Sequence, residues 1–266
     1  MKRYVISVDC EGVACVVGFP GMGLGKDNPA YPFAVREAMM EANAAARALF
    51  DSGADEVIIW DSHGTGVNFD YDLIDPRCKI ALGSGFGNRI PGMDESFSGL
   101  LFIGYHAKEG TKDGVLAHSY SSVTYQYVKV NGKEVGEMEV DAAIAGRMGV
   151  KVLFTATDAE GVKQAKESFP WIETVTTKEG SGWHAAVSLH PKEAQRQIYE
   201  AVKRAVQRED EMQVYTFEEP LNVSIRYKRL DTAHNVQLFD RERKPFAFAD
   251  GFTREGTLND VTELYL

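Results

Sequence analysis

The sequence predicts an α/β fold in which a largely parallel sheet is flanked by helices, with a smaller C-terminal subdomain from about residue 200. Two observations lead to this prediction. Short β-branched and apolar runs alternate with longer segments in which apolar residues recur every three or four positions, and this alternation is typical of parallel sheets. In addition, no repeat, low-complexity segment or linker divides the 266 residues. We therefore expect one main domain over residues 1–266.

The strands are predicted from short apolar runs that end in Gly, Asn or charged residues. They cover residues 3–8, 56–60, 79–82, 100–105, 151–155, 173–177 and 221–227. A hairpin is predicted where residues 124–130 and 133–135 flank Asn131-Gly132, because this dipeptide favours a two-residue turn.

The helices are predicted from apolar residues that recur on one face. In the first helix, residues 31–52, these are Val35, Met39, Ala42, Ala46 and Leu49, and Gly53 is suited to the C-terminal cap. The others cover residues 137–148, 158–168 and 191–208.

Composition and charge exclude several classes of function. The formal net charge is −10, which argues against nucleic acid and anionic membrane surfaces as partners, because phosphates require a basic face. Three cysteines without paired spacing do not form a disulfide framework, and we find no signal peptide or membrane-spanning run. We expect a cytoplasmic protein.

The sharpest feature is Ser7-Val8-Asp9-Cys10-Glu11-Gly12, at the end of the first predicted strand. Residues two apart in a strand point to the same face, so Asp9 and Glu11 are expected to project together and Cys10 into the core. Two neighbouring carboxylates repel each other unless a cation or a shared proton separates them. A pair of solvated surface acids is the alternative interpretation.

Further polar residues follow other apolar runs. His63 ends the motif Asp61-Ser62-His63, His106 and His118 each follow an apolar run, and Glu137 opens a helix. Ligands of α/β sheets bind outside the carboxyl ends of the strands, so these side chains can converge on one crevice. Asp61 and Ser62 are expected to orient His63. The Gly-rich segment 18–25 lacks the Lys-Ser/Thr ending of a phosphate-binding loop.

Five short motifs occur along the chain in a fixed order: Ser7-Val8-Asp9-Cys10-Glu11-Gly12, Asp61-Ser62-His63, Gly104-Tyr105-His106-Ala107, His118-Ser119 and Val135-Gly136-Glu137. In order and approximate spacing they resemble the D-aminopeptidase family, the M55 metallopeptidases, from residue 1 to about 230. The resemblance implies a zinc-dependent aminopeptidase with two metal ions, assembled as a decamer of two five-membered rings. It implies that the metal ligands are Asp9, Glu11, His63, His106 and Glu137, with Asp9 bridging, and that His118 is the catalytic residue.

The implied ligand set is chemically reasonable without the family. Three carboxylates and two neutral imidazoles carry −3, and two divalent ions bring the cluster to +1, which one hydroxide neutralises. Oxygen and nitrogen ligands without thiolate suit zinc, and also manganese or cobalt. The family assigns His118 as nucleophile, whereas we favour a general acid or base because imidazole titrates near neutral pH.

The expected substrates are short peptides or amino-acid amides with a free N-terminal D-residue. Two other functions stay open. A metallophosphoesterase also uses Asp and His around two metals, but its first-strand D-x-H and later Asn-His motifs are missing. A non-catalytic, ring-forming or metal-binding protein is the third hypothesis.

Overall fold

A computed structural model of the chain describes residues 1–86 and 89–264. In chain order its strands are β1 (Arg3–Val8), β2 (Glu56–Asp61), β3 (Lys79–Ala81), β4 (Gly99–Ile103), β5 (Tyr125–Val130), β6 (Lys133–Glu134), β7 (Lys151–Asp158), β8 (Glu173–Gly182), β9 (Ala185–Ser188), β10 (Leu221–Tyr227), β11 (Ala247–Phe248) and β12 (Thr253–Leu258). The helices are α1 (Tyr31–Asp51), α2 (Glu137–Arg147), α3 (Ala159–Ser168), α4 (Pro191–Gln207) and α5 (Leu230–Asn235).

The main sheet has the strand order β3-β2-β1-β4-β7-β8-β9. Neighbouring strands are parallel from β3 to β8, and β9 runs antiparallel at one edge. The predicted largely parallel sheet is therefore confirmed. The order reverses between β1 and β4, because the chain adds β2 and β3 on one side of β1 and the later strands on the other. Such a reversal opens a crevice at the carboxyl ends of the two strands.

Helices cover both faces of the main sheet, as predicted. One face packs against α1 and α4, whose Ala-rich inner surfaces include Ala45 and Ala201, both with no exposed area. The other face packs against α2, α3 and residues of a second sheet, such as Ile225. Burial of these apolar surfaces is the main favourable contribution to folding. No helix within the described ranges is long and apolar enough to span a membrane.

The second sheet is antiparallel, with the order β11-β12-β10-β5-β6. It joins the predicted hairpin of β5 and β6 to strands from the C-terminal part of the chain. No element is predicted after residue 227, so β11, β12 and α5 are additions to the prediction. The subdomain boundary near residue 200 stays a prediction, and we note that the second sheet draws on two separate stretches of the chain.

Three strands end more than one residue from their predicted ends: β4, β8, and β7, which continues to Asp158 beyond the predicted end at residue 155. β4 ends at Ile103, since Gly104 has a φ of +73° and turns the chain out of the sheet. β8 continues to Gly182, because its second half pairs with β9, a strand that the sequence analysis does not predict. The first change places Tyr105 and His106 in a loop above the sheet.

Candidate metal centre

The predicted ligands surround one cavity at the carboxyl ends of the central strands. Asp9 and Glu11 follow β1, His63 follows β2 and His106 follows β4. Asp9, Glu11, His63, His118 and Glu137 all line a cavity of about 710 Å³. His106 is 5% exposed and contacts two of the lining carboxylates. The structure thus brings together all six site residues that the sequence predicts, although β1 ends before Asp9.

Asp9 lies between the two imidazoles. Its Oδ1 is 2.6 Å from Nδ1 of His63, and its Oδ2 is 3.5 Å from Nε2 of His106. Glu11 Oε2 is 3.3 Å from the same nitrogen of His63, and Glu137 Oε1 is 3.3 Å from the same nitrogen of His106. One carboxylate and one imidazole therefore stand on each side of Asp9.

Two groups of side chains have the spacing that a metal ion requires. Ligand atoms of Asp9, Glu11 and His106 all lie within 4.8 Å of one another, and so do those of His106, His118 and Glu137. The rings of His106 and His118 stack at 3.8 Å between centroids, with 15° between their planes. His118 thus stands close enough to this cluster to act on a group bound there or to join the ligand set.

The far nitrogen of each histidine contacts a backbone carbonyl. Nε2 of His63 is 2.7 Å from Leu24 O, Nδ1 of His106 is 3.0 Å from Ala107 O, and Nδ1 of His118 is 2.8 Å from Leu116 O. A carbonyl oxygen accepts a hydrogen bond only from a nitrogen that bears a proton. In each neutral ring the opposite nitrogen therefore keeps its lone pair. In His63 and His106 that lone pair faces the carboxylates, as in metal-binding histidines.

Two buried polar atoms at the centre lack a hydrogen-bond partner among the described residues. They are Oε2 of Glu11 and Nε2 of His106. Buried polar atoms are usually paired, and leaving them unpaired costs about 1–3 kcal/mol each. A divalent cation would satisfy both atoms and offset the charge of three buried carboxylates, so the donor set fits a metal ion.

The charged groups at the site strongly shift one another's pKa values. Burial and the neighbouring Glu11 raise the pKa of Asp9 to about 7. Burial opposes a charge on His106, but Glu137 outweighs it and raises the pKa of His106 to about 10. Burial together with His106 lowers the pKa of His118. Strongly shifted groups in a cleft mark a functional site.

The loops that follow β1 and β4 are locked together by their backbones. The N–H of Asp9 donates to Ile103 O at 2.8 Å, and the N–H of Gly12 donates to Gly104 O at 2.6 Å. A Cβ at position 12 would lie 1.9 Å from Tyr105 O, so only glycine permits this approach. Asp9, Glu11 and His106 therefore depend on one backbone junction.

The predicted role of Asp61 and Ser62 is indirect. Asp61 accepts from the backbone N–H and the side-chain amide of Asn68, at 2.6 and 2.8 Å, and that amide also donates to His63 O. Ser62 Oγ donates to Val8 O at 2.9 Å. Neither side chain is hydrogen-bonded to the ring of His63; Asp61 acts on the backbone of His63 through Asn68, and Ser62 joins the end of β2 to β1.

Two residues of the cavity lining, Tyr120 and Arg89, are not predicted from the sequence. The backbone N–H of Tyr120 donates to Glu137 Oε1 at 2.7 Å, from a residue with a φ of +58°. Arg89 lines the same cavity and binds the buried Asp141 at 2.9 Å. Backbone donors and left-handed residues other than glycine leave no local sequence pattern, so only the fold reveals them.

Comparison with known proteins agrees with this geometry. A D-aminopeptidase of Bacillus subtilis (strain 168) is 33% identical over 218 residues, covering 81% of this chain and 77% of the relative. The solved structure of the Zn-dependent D-aminopeptidase DppA from Bacillus subtilis, described as a self-compartmentalizing protease, superposes with a TM-score of 0.88 at 26% identity, covering 99% of this chain and 93% of that one. The sequence model of the D-aminopeptidase family, Peptidase M55, matches residues 1–264. The chain therefore belongs to the D-aminopeptidase family.

Proposed function

We propose that this protein is a dinuclear zinc aminopeptidase that releases N-terminal D-residues from short peptides or amides. The observation that carries the proposal is the buried donor set around Asp9: Glu11 Oε2 lies 3.3 Å from Nδ1 of His63 and His106 Nε2 lies 3.5 Å from Oδ2 of Asp9, and neither atom has a hydrogen-bond partner among the described residues. Zinc is supported by the Zn-dependent relative and by the absence of thiolate from the donor set. Manganese or cobalt would suit the same donors.

We assign the ligands by their position around Asp9. Glu11 and His63 would hold one ion and His106 and Glu137 the second, with Asp9 shared between the two. When bound, such ions polarise the scissile carbonyl and lower the pKa of water towards about 7. The carboxylates and imidazoles would hold the ions, and the backbone junction at Gly12 would keep the ligands that follow β1 and β4 in their relative positions.

We assign proton transfer to His118. Its Nδ1 proton is engaged by Leu116 O, so the Nε2 lone pair is free to take a proton in the cavity. Stacking against His106 fixes the plane of the ring. His118 would accept a proton during attack on the carbonyl and return it to the leaving amine, and a direct nucleophilic role is the alternative.

Substrate preference and assembly are proposed on the strength of the family. An α-amine held at one end of the site and a carbonyl at the other fix two points of the substrate, so the cavity wall around Met22, Leu24 and Trp183 selects one enantiomer. The self-compartmentalizing relative supports a homo-oligomer, and we propose a decamer of two five-membered rings. We also propose a cytoplasmic location and no nucleic-acid partner, given the charge of −10.

Metal analysis tests the ligand assignment. We expect two zinc ions per chain in the wild type, and reduced occupancy with abolished hydrolysis in Glu11→Ala and His63→Ala. The matched controls Glu95→Ala and His234→Ala change exposed residues and should keep both ions. Unchanged metal content in Glu11→Ala and His63→Ala would refute the assignment.

A substrate panel tests the reaction. We expect a higher kcat/KM for D-Ala-amide than for L-Ala-amide at equal zinc loading, and no turnover of N-acetylated D-Ala-amide. A tenfold preference for the L-amide would refute the stereochemical proposal, and turnover of the acetylated amide would indicate an amidase or endopeptidase. Hydrolysis of a phosphoester instead of the amides would indicate a metallophosphoesterase.

A further inference from the structure

We propose that Lys178 is a positioning residue for the metal centre: its buried ammonium group holds the backbone of residues 11–16, the loop that presents Glu11. The inference rests on the proposed role of Glu11 as a metal ligand. Lys178 lies on β8, 167 residues from Glu11, and is 1% exposed. It does not itself line the cavity, so its contribution would act through the loop.

All of the hydrogen bonds formed by the Lys178 ammonium go to this one loop. Its Nζ donates to the carbonyl oxygens of Glu11, Val13 and Val16, the last two at 2.7 Å. An ammonium group has three donors, and each finds a different carbonyl. The three acceptors span six residues that belong to no helix or strand, so a single ammonium group holds the backbone of the whole loop.

Two more buried side chains hold the same loop. Thr177, next to Lys178 on β8, donates from Oγ1 to Gly12 O at 2.5 Å. Glu41 of α1 has no exposed area and accepts from the N–H of Ala14 at 2.9 Å. The loop is therefore fixed through Glu11, Gly12, Val13, Ala14 and Val16 by residues that are distant in sequence.

Stability of the fold alone does not explain a buried ammonium group at this place. A buried ammonium group loses several kcal/mol of hydration, and well-packed apolar residues often replace buried charges without loss of stability. What the ammonium group provides is a fixed path for the backbone. Metal ligands must be held within about 0.5 Å of their productive positions, and Glu11 Oε2 stands 3.3 Å from Nδ1 of His63. Lys178 supplies that constraint from behind the site.

The test compares Lys178→Met with Arg254→Met in the full-length protein. Arg254 is also a buried cation that donates to carbonyls, those of Phe246 and Ala233 at 2.8 and 3.0 Å, but it lies in the second sheet. Both variants should have a lower Tm. We expect only Lys178→Met to lose zinc affinity, by about 10–100-fold, the usual effect of removing a group that orients a ligand. Competition with a chromophoric chelator measures this affinity.

The visible spectrum of the cobalt-substituted protein gives a readout that general destabilisation does not change. We expect altered d–d bands in Lys178→Met and wild-type bands in Arg254→Met. Thr177→Val is a nearly isosteric change and should lower zinc affinity by a smaller factor than Lys178→Met. If Lys178→Met does not fold, Thr177→Val serves as the test in its place.

Wild-type zinc affinity and cobalt bands in folded Lys178→Met, or in Thr177→Val where Lys178→Met is unfolded, would overturn the proposal. Equal losses in Arg254→Met would also overturn it, because the effect would then follow stability alone. Glu11→Ala distinguishes an error about Lys178 from an error about the metal ligands. Wild-type zinc affinity in Glu11→Ala would mean that the ligand assignment itself is wrong.

Discussion

Replacing Gly12 with alanine tests whether one backbone junction holds the metal centre together. The added Cβ would lie 1.9 Å from Tyr105 O and 2.9 Å from Gly104 C, and side-chain Cβ atoms essentially never approach closer than 3.0 Å. The loop that follows β1 must therefore move by about 1 Å relative to the loop that follows β4. Gly12 adjoins Glu11, and Tyr105 adjoins His106, so the displacement separates predicted ligands on the two sides of the site.

The size of the effect follows from this displacement. Overpacking of a buried position costs about 1–3 kcal/mol, and each kcal/mol lowers the Tm of a chain this long by roughly 2–4 °C. A shift of about 1 Å in the placement of reacting groups costs on the order of 10²-fold in rate. We therefore expect Gly12→Ala to show a modest fall in Tm, at least tenfold weaker zinc binding and a turnover lower by about 10²-fold.

Gly256→Ala is the matched control for this measurement. Its Cβ would lie 2.3 Å from the buried ring of Phe246, in the second sheet and away from every predicted ligand. It should lower the Tm to a similar extent while zinc affinity and kcat per bound zinc stay at the wild-type level. If folded Gly12→Ala retains wild-type zinc affinity and turnover, the loop junction does not position the ligands and the reasoning is refuted.

Three further predictions concern catalysis, pH and metal removal. His118→Ala should keep two zinc ions but lose about 10²–10⁴-fold in kcat, the usual contribution of a general acid or base; loss of zinc, with activity restored by excess zinc, would make His118 a ligand instead. Burial raises the pKa of Glu41 to about 7, so between about pH 4.5 and 7 folded Glu41 retains a proton that the unfolded chain releases, and stability falls as pH rises. In urea titrations, the free energy of unfolding of the wild type should fall by about 3 kcal/mol over this range relative to that of Glu41→Gln. If the two proteins show the same dependence of this free energy on pH, the pKa shift of Glu41 is contradicted. Dialysis against a chelator should lower the Tm, with recovery on adding zinc, and an unchanged Tm would argue against a tightly bound ion.

The sequence alone was sufficient for the elements whose pattern is local. β1 and β10 have the predicted bounds, and the last residues of α1 and α4 differ from the prediction by one position. Buried parallel strands appear as apolar runs, and amphipathic helices show their 3.6-residue period, so both can be predicted without tertiary contacts. The ordered motifs that end these strands were enough to predict that Asp9, His63 and His106 converge.

The later elements carry no such pattern. Both residues of β11 are exposed, and β12 contains Gly256 and the buried charge of Arg254, so neither resembles an apolar run. β12 forms because β10 offers it an antiparallel partner, and β11 in turn pairs with β12. Propensity for strands depends strongly on such context, and a short polar segment becomes a strand only when a neighbour supplies the hydrogen bonds.

Only the tertiary structure decided how the site is supported. Lys178 and Glu11 are 167 residues apart, and a lysine in a polar stretch such as Lys178-Glu179-Gly180 is ordinarily a surface residue. It is buried here because β8 runs beside the loop of residues 11–16, where its ammonium group donates to three carbonyl oxygens. The prediction of the ligands rests on residue type and local order, whereas the placement of these side chains depends on backbone groups that meet only after the strands have paired.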